Sequence, residues 1–291
     1  MLLFDILLPG LVLGGMYALI ALGLTLQYGV ARIMNLSYGE SLVAAAFGTL
    51  SLYSGLQLSP LLALLLAMPA AGLLNWLLYR LLLQRLIRRG KDAGAQEVDS
   101  ILVTFGVLFV IQGIMLVAFG GQYYSYSYLS IPVTVLGSTL AVNRLVALGF
   151  AALIGTGVYL ALTRTRIGTA VRAIAVDANA ARLVGIDVAW LAGLAFAFGG
   201  GLVAAGGVLV SMFLTFNASM GVVFTMKALV VVIMGGVGNV MGALAAGLLL
   251  GVVETAVARL VDPGLTLAAT FAMFLAVLLI RPTGLFGKAA S

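Results

Sequence analysis

Long apolar runs, separated by short clusters of charged, Pro, Gly and Asn residues, occupy most of the chain. Nine such runs fall at roughly 6–28, 38–56, 60–83, 100–119, 143–162, 188–212, 219–235, 240–258 and 265–280. A helix needs about 20 apolar residues to cross a bilayer core. The pattern therefore predicts an all-α, polytopic helical membrane protein with eight to nine transmembrane segments. The seventh and eighth runs are the least clearly delimited, because Gly235-Gly236-Val237-Gly238-Asn239 interrupts a single apolar stretch. One of the two is either a full span or a half-helix that enters and leaves by the same face. The N-terminus carries Asp5 and no basic region ahead of the first run, and that run is long enough to span, so it reads as a span rather than a cleavable signal.

Composition sharpens this picture. Of 291 residues, 63% are apolar and 8% charged, against about 45–50% and about 25% in soluble domains. No water-soluble fold of this size hides so much apolar surface. With no His and no Cys, His-dependent acid–base chemistry, Cys nucleophiles and zinc or iron–sulfur sites on those ligands are excluded. The absence of cysteine leaves the redox compartment open. No G-x-x-x-x-G-K-[ST] occurs, so the chain has no P-loop with which to bind and split ATP.

The net charge of +6 reads as membrane topology rather than nucleic-acid binding. On a nine-span count, Arg32, Arg80, Arg85, Arg88, Arg89, Lys91, Arg164, Arg166, Arg172, Arg182, Arg281 and Lys288 share one side, twelve of the 15 basic residues. The positive-inside rule makes that side cytoplasmic, with the N-terminus outside and the C-terminus in the cytoplasm. Rows of small residues recur at helical spacing: Gly10, Gly14, Ala18; Gly193, Ala197, Gly201, Ala205; and Ala243, Gly247, Gly251. Each gives a smooth face on which helix backbones approach closely.

Few residues can carry function. Between the first two runs lies the polar break Asn35-Leu36-Ser37-Tyr38-Gly39-Glu40. Ser37 and Glu40 have the S-x-x-E spacing of a capping box; alternatively the break lines a substrate path, since non-helical backbone at membrane depth must be satisfied by protein or a wet cavity. Lys227 and Glu254 are ionisable groups inside apolar runs, where they either serve transport or snorkel to an interface. Gln27, Thr104, Gln112 and Asn217 are further path candidates or simple inter-helix hydrogen bonds. Tyr123, Tyr124, Tyr126 and Tyr128 suggest an interfacial aromatic belt or a docking point for an external partner. The loop at about 163–187 contains a predicted helix around Ala170–Ala181 with Gly185 as its C′ residue. Arg172, Asn179 and Arg182 lie near one face, with Ile174, Ala178 and Ala181 opposite. Such a segment either merely fixes topology or docks on a cytoplasmic partner.

At these residues the chain resembles the branched-chain amino-acid ABC permeases of the LivH type. The resemblance rests on Gly10–Leu26 with Tyr28-Gly29 and on Asn35–Glu40, where Leu36, Ser37 and Tyr38 replace the common Phe, Ala and His of N-F-A-H-G-[DE]. It continues through Gly168, Arg172-Ala173, Ala180-Ala181 and Gly185-Ile186, then Lys227-Ala228, Gly235–Asn239, Gly242-Ala243, Gly247, Gly251, Glu254 and Arg281–Gly287. It covers nearly the whole chain and implies an ABC importer permease fold, residues 1–291 forming one transmembrane permease domain.

The same resemblance implies partners: a LivM-like second permease subunit, two cytoplasmic ATPase subunits and an extracytoplasmic, periplasmic substrate-binding protein. ATP and Mg would sit on those partners, and this chain would bind no cofactor or metal. Gln27, Asn35, Ser37, Tyr38, Gly39, Glu40, Asn217, Lys227 and Glu254 are the substrate-path candidates. Arg164, Arg166, Gly168, Arg172, Ala173, Asp177, Ala180, Arg182, Gly185 and Ile186 are the candidates for ATPase coupling. The wider family is associated with branched-chain and other hydrophobic amino acids, and also with urea and short amides. The rival class is an ion-coupled secondary transporter using Glu40, Lys227 or Glu254 as a relay.

Overall fold

The computed structural model describes residues 2–87, 93–135 and 138–287. Arg88, Arg89, Lys91 and Lys288, four of the basic residues used to assign sidedness, lie outside the described residues. In chain order the helices are α1 (Leu2–Ala31), α2 (Tyr38–Leu56), α3 (Pro60–Leu78), α4 (Gln84–Ile87), α5 (Ala93–Phe119), α6 (Val142–Arg164), α7 (Arg166–Val176), α8 (Ala178–Leu183), α9 (Val188–Ser211), α10 (Gly221–Gly235), α11 (Val240–Leu260) and α12 (Thr266–Ile280). A π turn at Tyr79–Leu83 joins α3 to α4, and one small antiparallel hairpin pairs β1 (Pro132–Val135) with β2 (Ser138–Ala141).

Every predicted apolar run is helical. Among the described residues, seven helices are long and apolar enough to cross a membrane: α1, α3 with its extension, α5, α6, α9, α11 and α12 with the turn before it. The other two runs are α2 and α10. At about 1.5 Å per residue, the 15 residues of α10 extend roughly 22 Å, short of a core about 30 Å thick. Of the two runs flanking the glycine-rich interruption, the seventh is thus the short one and the eighth has spanning length.

The small-residue rows explain the packing. An added Cβ on Gly251 would meet the Gly14 nitrogen at 2.1 Å, and one on Gly247 the Ala18 Cα at 2.6 Å. One on Gly10 would meet the Val252 Cα at 2.8 Å. The rows of the first and eighth runs are therefore the two sides of one antiparallel α1–α11 seam, where backbones touch because no side chain intervenes. The third row faces α3: Gly193 lies against Trp76 and Tyr79, and Gly72 against the Ala197 carbonyl. On its other faces α9 meets α1 at Gly23 and Gly199, and α2 at Gly207 and Leu42. This makes α9 the central helix.

Two loops close the bundle. In the α10–α11 turn, Gly236 and Gly238 have φ of 99° and 78°, the left-handed region that glycine adopts without steric penalty. Asn239 caps α11 by accepting from Gly242 N (3.0 Å), and its amide donates to the Phe286 carbonyl (2.9 Å). Leu285 N donates to the Met234 carbonyl (2.7 Å), so the segment after α12 is strapped across the turn. Elsewhere Tyr124 and Phe216 exchange backbone hydrogen bonds (2.8 and 2.9 Å). Phe47 stacks on Phe119 at 4.2 Å, and Tyr53 packs on Tyr126 at 5.0 Å. Of the four clustered tyrosines, Tyr124, Tyr126 and Tyr128 turn inward and only Tyr123 is exposed. The cluster therefore mainly seals the loop onto α2 and α9. Burial pushes the Tyr126 hydroxyl up to about 12, so it keeps its proton and its 2.9 Å hydrogen bond with Ser211.

Candidate transport path and coupling surface

The polar break is a loop that folds back along α1. After α1 ends at Ala31, the chain turns back at Arg32, whose φ is 55°. It then starts α2 alongside the middle of α1: the Tyr38 hydroxyl donates to the Ile20 carbonyl (2.7 Å), with that of Gly199 at 3.2 Å. Residues 32–37 are not helical, so their peptide groups need partners at membrane depth. Side chains supply them. Thr104 accepts from Leu36 N (3.1 Å), and Asn35 Oδ1 accepts from Ser37 N (3.1 Å) and Ser37 Oγ (2.7 Å). Asn35 Nδ2 donates to Gln27 Oε1 (3.2 Å), and Gln27 Nε2 to the Phe196 carbonyl (3.3 Å). Thr225 accepts from Gly39 N (2.8 Å) and lies 3.1 Å from the Gly221 carbonyl. Six sequence-predicted path residues, Gln27, Asn35, Ser37, Tyr38, Gly39 and Glu40, thus form one buried cluster.

The expected capping box does not form. Ser37 precedes α2 but makes no side-chain capping bond; its hydroxyl is committed to Asn35. Glu40 is fully buried, and neither carboxylate oxygen has a hydrogen-bond partner. The carboxylate lies against the first residue of α10 instead: an added Cβ on Gly221 would meet Glu40 Oε1 at 2.3 Å. A helix N-terminus carries partial positive charge, which favours an acid placed beside it. Only glycine at 221 permits that approach.

A second cluster gathers around Glu254. Lys227 Nζ lies 2.8 Å from Glu254 Oε1 and 2.9 Å from Oε2. It also donates to the Tyr17 hydroxyl (2.7 Å), which donates to Glu254 Oε2 (2.7 Å). Thr270 donates to Glu254 Oε1, and the Lys227 ammonium is 4.7 Å from the Tyr17 ring centre. Glu254 does not snorkel; it is buried and every neighbour saturates it. The four residues tie α1, α10, α11 and α12 together. Asn217 belongs to neither cluster: it accepts from Ser219 N (3.2 Å) in the loop before α10.

The predicted coupling segment is two short helices, not one. Thr165 caps α7 by accepting from Gly168 N (3.0 Å). Asp177 then ends α7 and caps α8, accepting from Asn179 N (2.8 Å) and Ala180 N (3.0 Å). Asp177 is thus the cap at a break inside the predicted helix. Gly185, with φ of 82°, closes α8, and Asp187 caps α9 by accepting from Trp190 N. Gly168 nests on the Ala161 and Leu162 carbonyls, where an added Cβ would meet both at 2.4 Å. Ile174 and Ala181 are buried with Val30, Leu83 and Leu191, and Arg32 donates to the Ala175 carbonyl (3.0 Å). Arg164, Arg166, Arg172, Ala180 and Arg182 are exposed, and Ala173 and Ile186 are partly so. Val176, Leu183 and Val184 are 86%, 90% and 76% exposed.

Sequence reasoning missed Tyr17, Thr225 and Thr270. Each sits singly in an apolar run, and the only available signal was a hydroxyl on a spanning helix, which is usually spent on its own backbone.

Comparison with known proteins follows the same lines. The family model described as "Branched-chain amino acid transport system / permease component" matches residues 6–280. The high-affinity branched-chain amino acid transport system permease protein BraD of Pseudomonas aeruginosa is 29% identical, over 96% of this chain and 94% of its own length. LivH of Salmonella typhimurium, described in the same words, is 26% identical over the same shares. A probable LivH permease of Methanocaldococcus jannaschii is 24% identical over 95% of this chain and 90% of its own. No solved structure matches significantly.

Proposed function

Since the chain belongs to the branched-chain amino acid transport system permease family, matched over residues 6–280, and is a membrane-embedded permease subunit working with other ABC components, we propose the following finer assignment. It forms half of the translocation path for branched-chain or other hydrophobic amino acids across a bacterial inner membrane, beside a LivM-like second permease. Two cytoplasmic ATPases bind the ATP and Mg, and a periplasmic binding protein delivers the substrate. The N-terminus is outside, and α7, α8 and the C-terminal segment face the cytoplasm.

The observation that carries this assignment is the surface of α7 and α8. Two capped helices bury Ile174 and Ala181 inward yet leave Val176, Leu183 and Val184 open beside Arg172 and Arg182. Exposed apolar side chains with flanking charge are what a groove on a partner receives. Movement there reaches the path by a short route, because Arg32 links α7 to the loop that places Asn35 and Glu40. ATP-driven closure of the partners shifts α7 and α8, that loop follows, and the path changes its open side. The chain has no cysteine, so Leu183→Cys supplies a unique thiol. Cross-linking from it should capture an ATPase subunit in the assembled transporter, with a yield that changes on adding ATP. Capture of no ATPase would remove the coupling role.

A further inference from the structure

A cavity of about 930 Å³ lies between α3, α6 and α9, with α7 across one end. It reaches the upper part of the range of about 300–1,000 Å³ typical of ligand pockets. Its walls are apolar almost throughout, among them Met68, Leu73, Val158, Phe198 and Leu202. Thr165 and the Trp76 indole supply the only polar side-chain groups, and no member of the two polar clusters lines it. Most of the walls come from α3, α6 and α9, helices of spanning length.

One end of the slot is cationic. Arg166 falls between the wall residues Thr165 and Ile167, and Arg164 precedes them. Arg80 stacks over Trp76 with its guanidinium carbon 5.0 Å from the ring centre. Its neighbour Tyr79 packs in the same cluster as Ile174 of α7, which places Arg80 at that end. All three arginines are exposed. The nearby acids Asp177 and Asp187 are occupied as helix caps. An apolar slot with a basic rim at one end matches an acyl chain below and a phosphate above.

The geometry points to a bound anionic phospholipid, one acyl chain filling the slot and the headgroup phosphate held by Arg80, Arg164 and Arg166. A helix of the second permease would also bring apolar surface, but it has no use for three arginines at the rim. Gly157 gives a clean test, because it lines the slot and an added Cβ there meets nothing within 4 Å. The assembled transporter is delipidated in detergent and titrated with phosphatidylglycerol or phosphatidylcholine under native mass spectrometry. Phosphatidylglycerol should remain bound to this chain in preference to phosphatidylcholine. Gly157→Phe should abolish that retention, and Arg80→Gln, at the surface and outside the coupling segment, should narrow the preference for phosphatidylglycerol while the complex stays assembled. Equal retention of both lipids by the parent chain, or unchanged retention in both variants, overturns the assignment. A cross-link from Gly157→Cys to the second permease chain overturns it as well.

Discussion

Lys227 and Glu254 form a buried ion pair across the α10–α11 hairpin, with the ammonium within 2.9 Å of both carboxylate oxygens. Burying one of these charges alone is unfavourable; burying them together, with Tyr17 and Thr270 completing the hydrogen bonds, is tolerated. The pair therefore reads as a pin holding α1, α10, α11 and α12.

Breaking one side of this pin should destabilise strongly. Lys227→Met or Glu254→Met is expected to cost about 3–5 kcal/mol, since each leaves an uncompensated buried charge. The double variant should recover much of that loss. Unfolding of the purified protein checks the cycle, and a double variant as unstable as the sum of the singles would contradict it.

Glu40 predicts the opposite behaviour. With neither oxygen bonded, Glu40→Gln removes a buried charge and loses no hydrogen bond, so stability should hold or rise. A capping carboxylate would instead lose about 0.5–2 kcal/mol. Uptake per folded molecule should fall if this group lines the path. Parallel unfolding and uptake measurements separate the two effects, and a stability loss near 1 kcal/mol with normal uptake would restore the capping role.

The α1–α11 seam leaves no room for side chains. Gly251→Leu should prevent folded protein from accumulating, because even a Cβ there meets the Gly14 backbone and overpacking costs about 1–3 kcal/mol or more. Gly48→Ala, in the helical part of α2 with open space around it, should be neutral or stabilising by about 0.5–1 kcal/mol. Membrane yield and thermal stability report both, and normal accumulation of Gly251→Leu would contradict the close α1–α11 seam.

Charge reversal at Arg172 tests coupling without touching the bundle, since its side chain is exposed. Arg172→Glu should leave membrane insertion and ATPase turnover intact while uptake falls. Undiminished uptake removes Arg172 from the coupling surface.

Much of this was legible in the chain. All nine apolar runs are helices, because a span needs only local composition, and the small-residue rows marked the packing faces. What those rows could not say is which row meets which: Gly14 and Gly251 are distant in sequence and pair only through topology. The Lys227–Glu254 pair was visible as two intramembrane charges, but not as partners, and Tyr17 and Thr270 offered only a hydroxyl in an apolar run. The S-x-x-E spacing of Ser37 and Glu40 left two readings open, because what decides between them is the Ser37 bond to Asn35 and the placing of Glu40 against Gly221, distant in sequence. Asp177 falls inside the single helix that the sequence predicts, and its role as the cap at a break shows only in the fold.

The central claim is a permease whose energy comes from other chains. Proteoliposomes containing this chain, its second permease and both ATPases, supplied with binding protein and labelled leucine, test it most directly. Uptake should require internal or external ATP on the ATPase side and vanish when either the ATPases or the binding protein are omitted. Leucine uptake by this chain alone, driven by a proton or sodium gradient without ATP, would contradict the account.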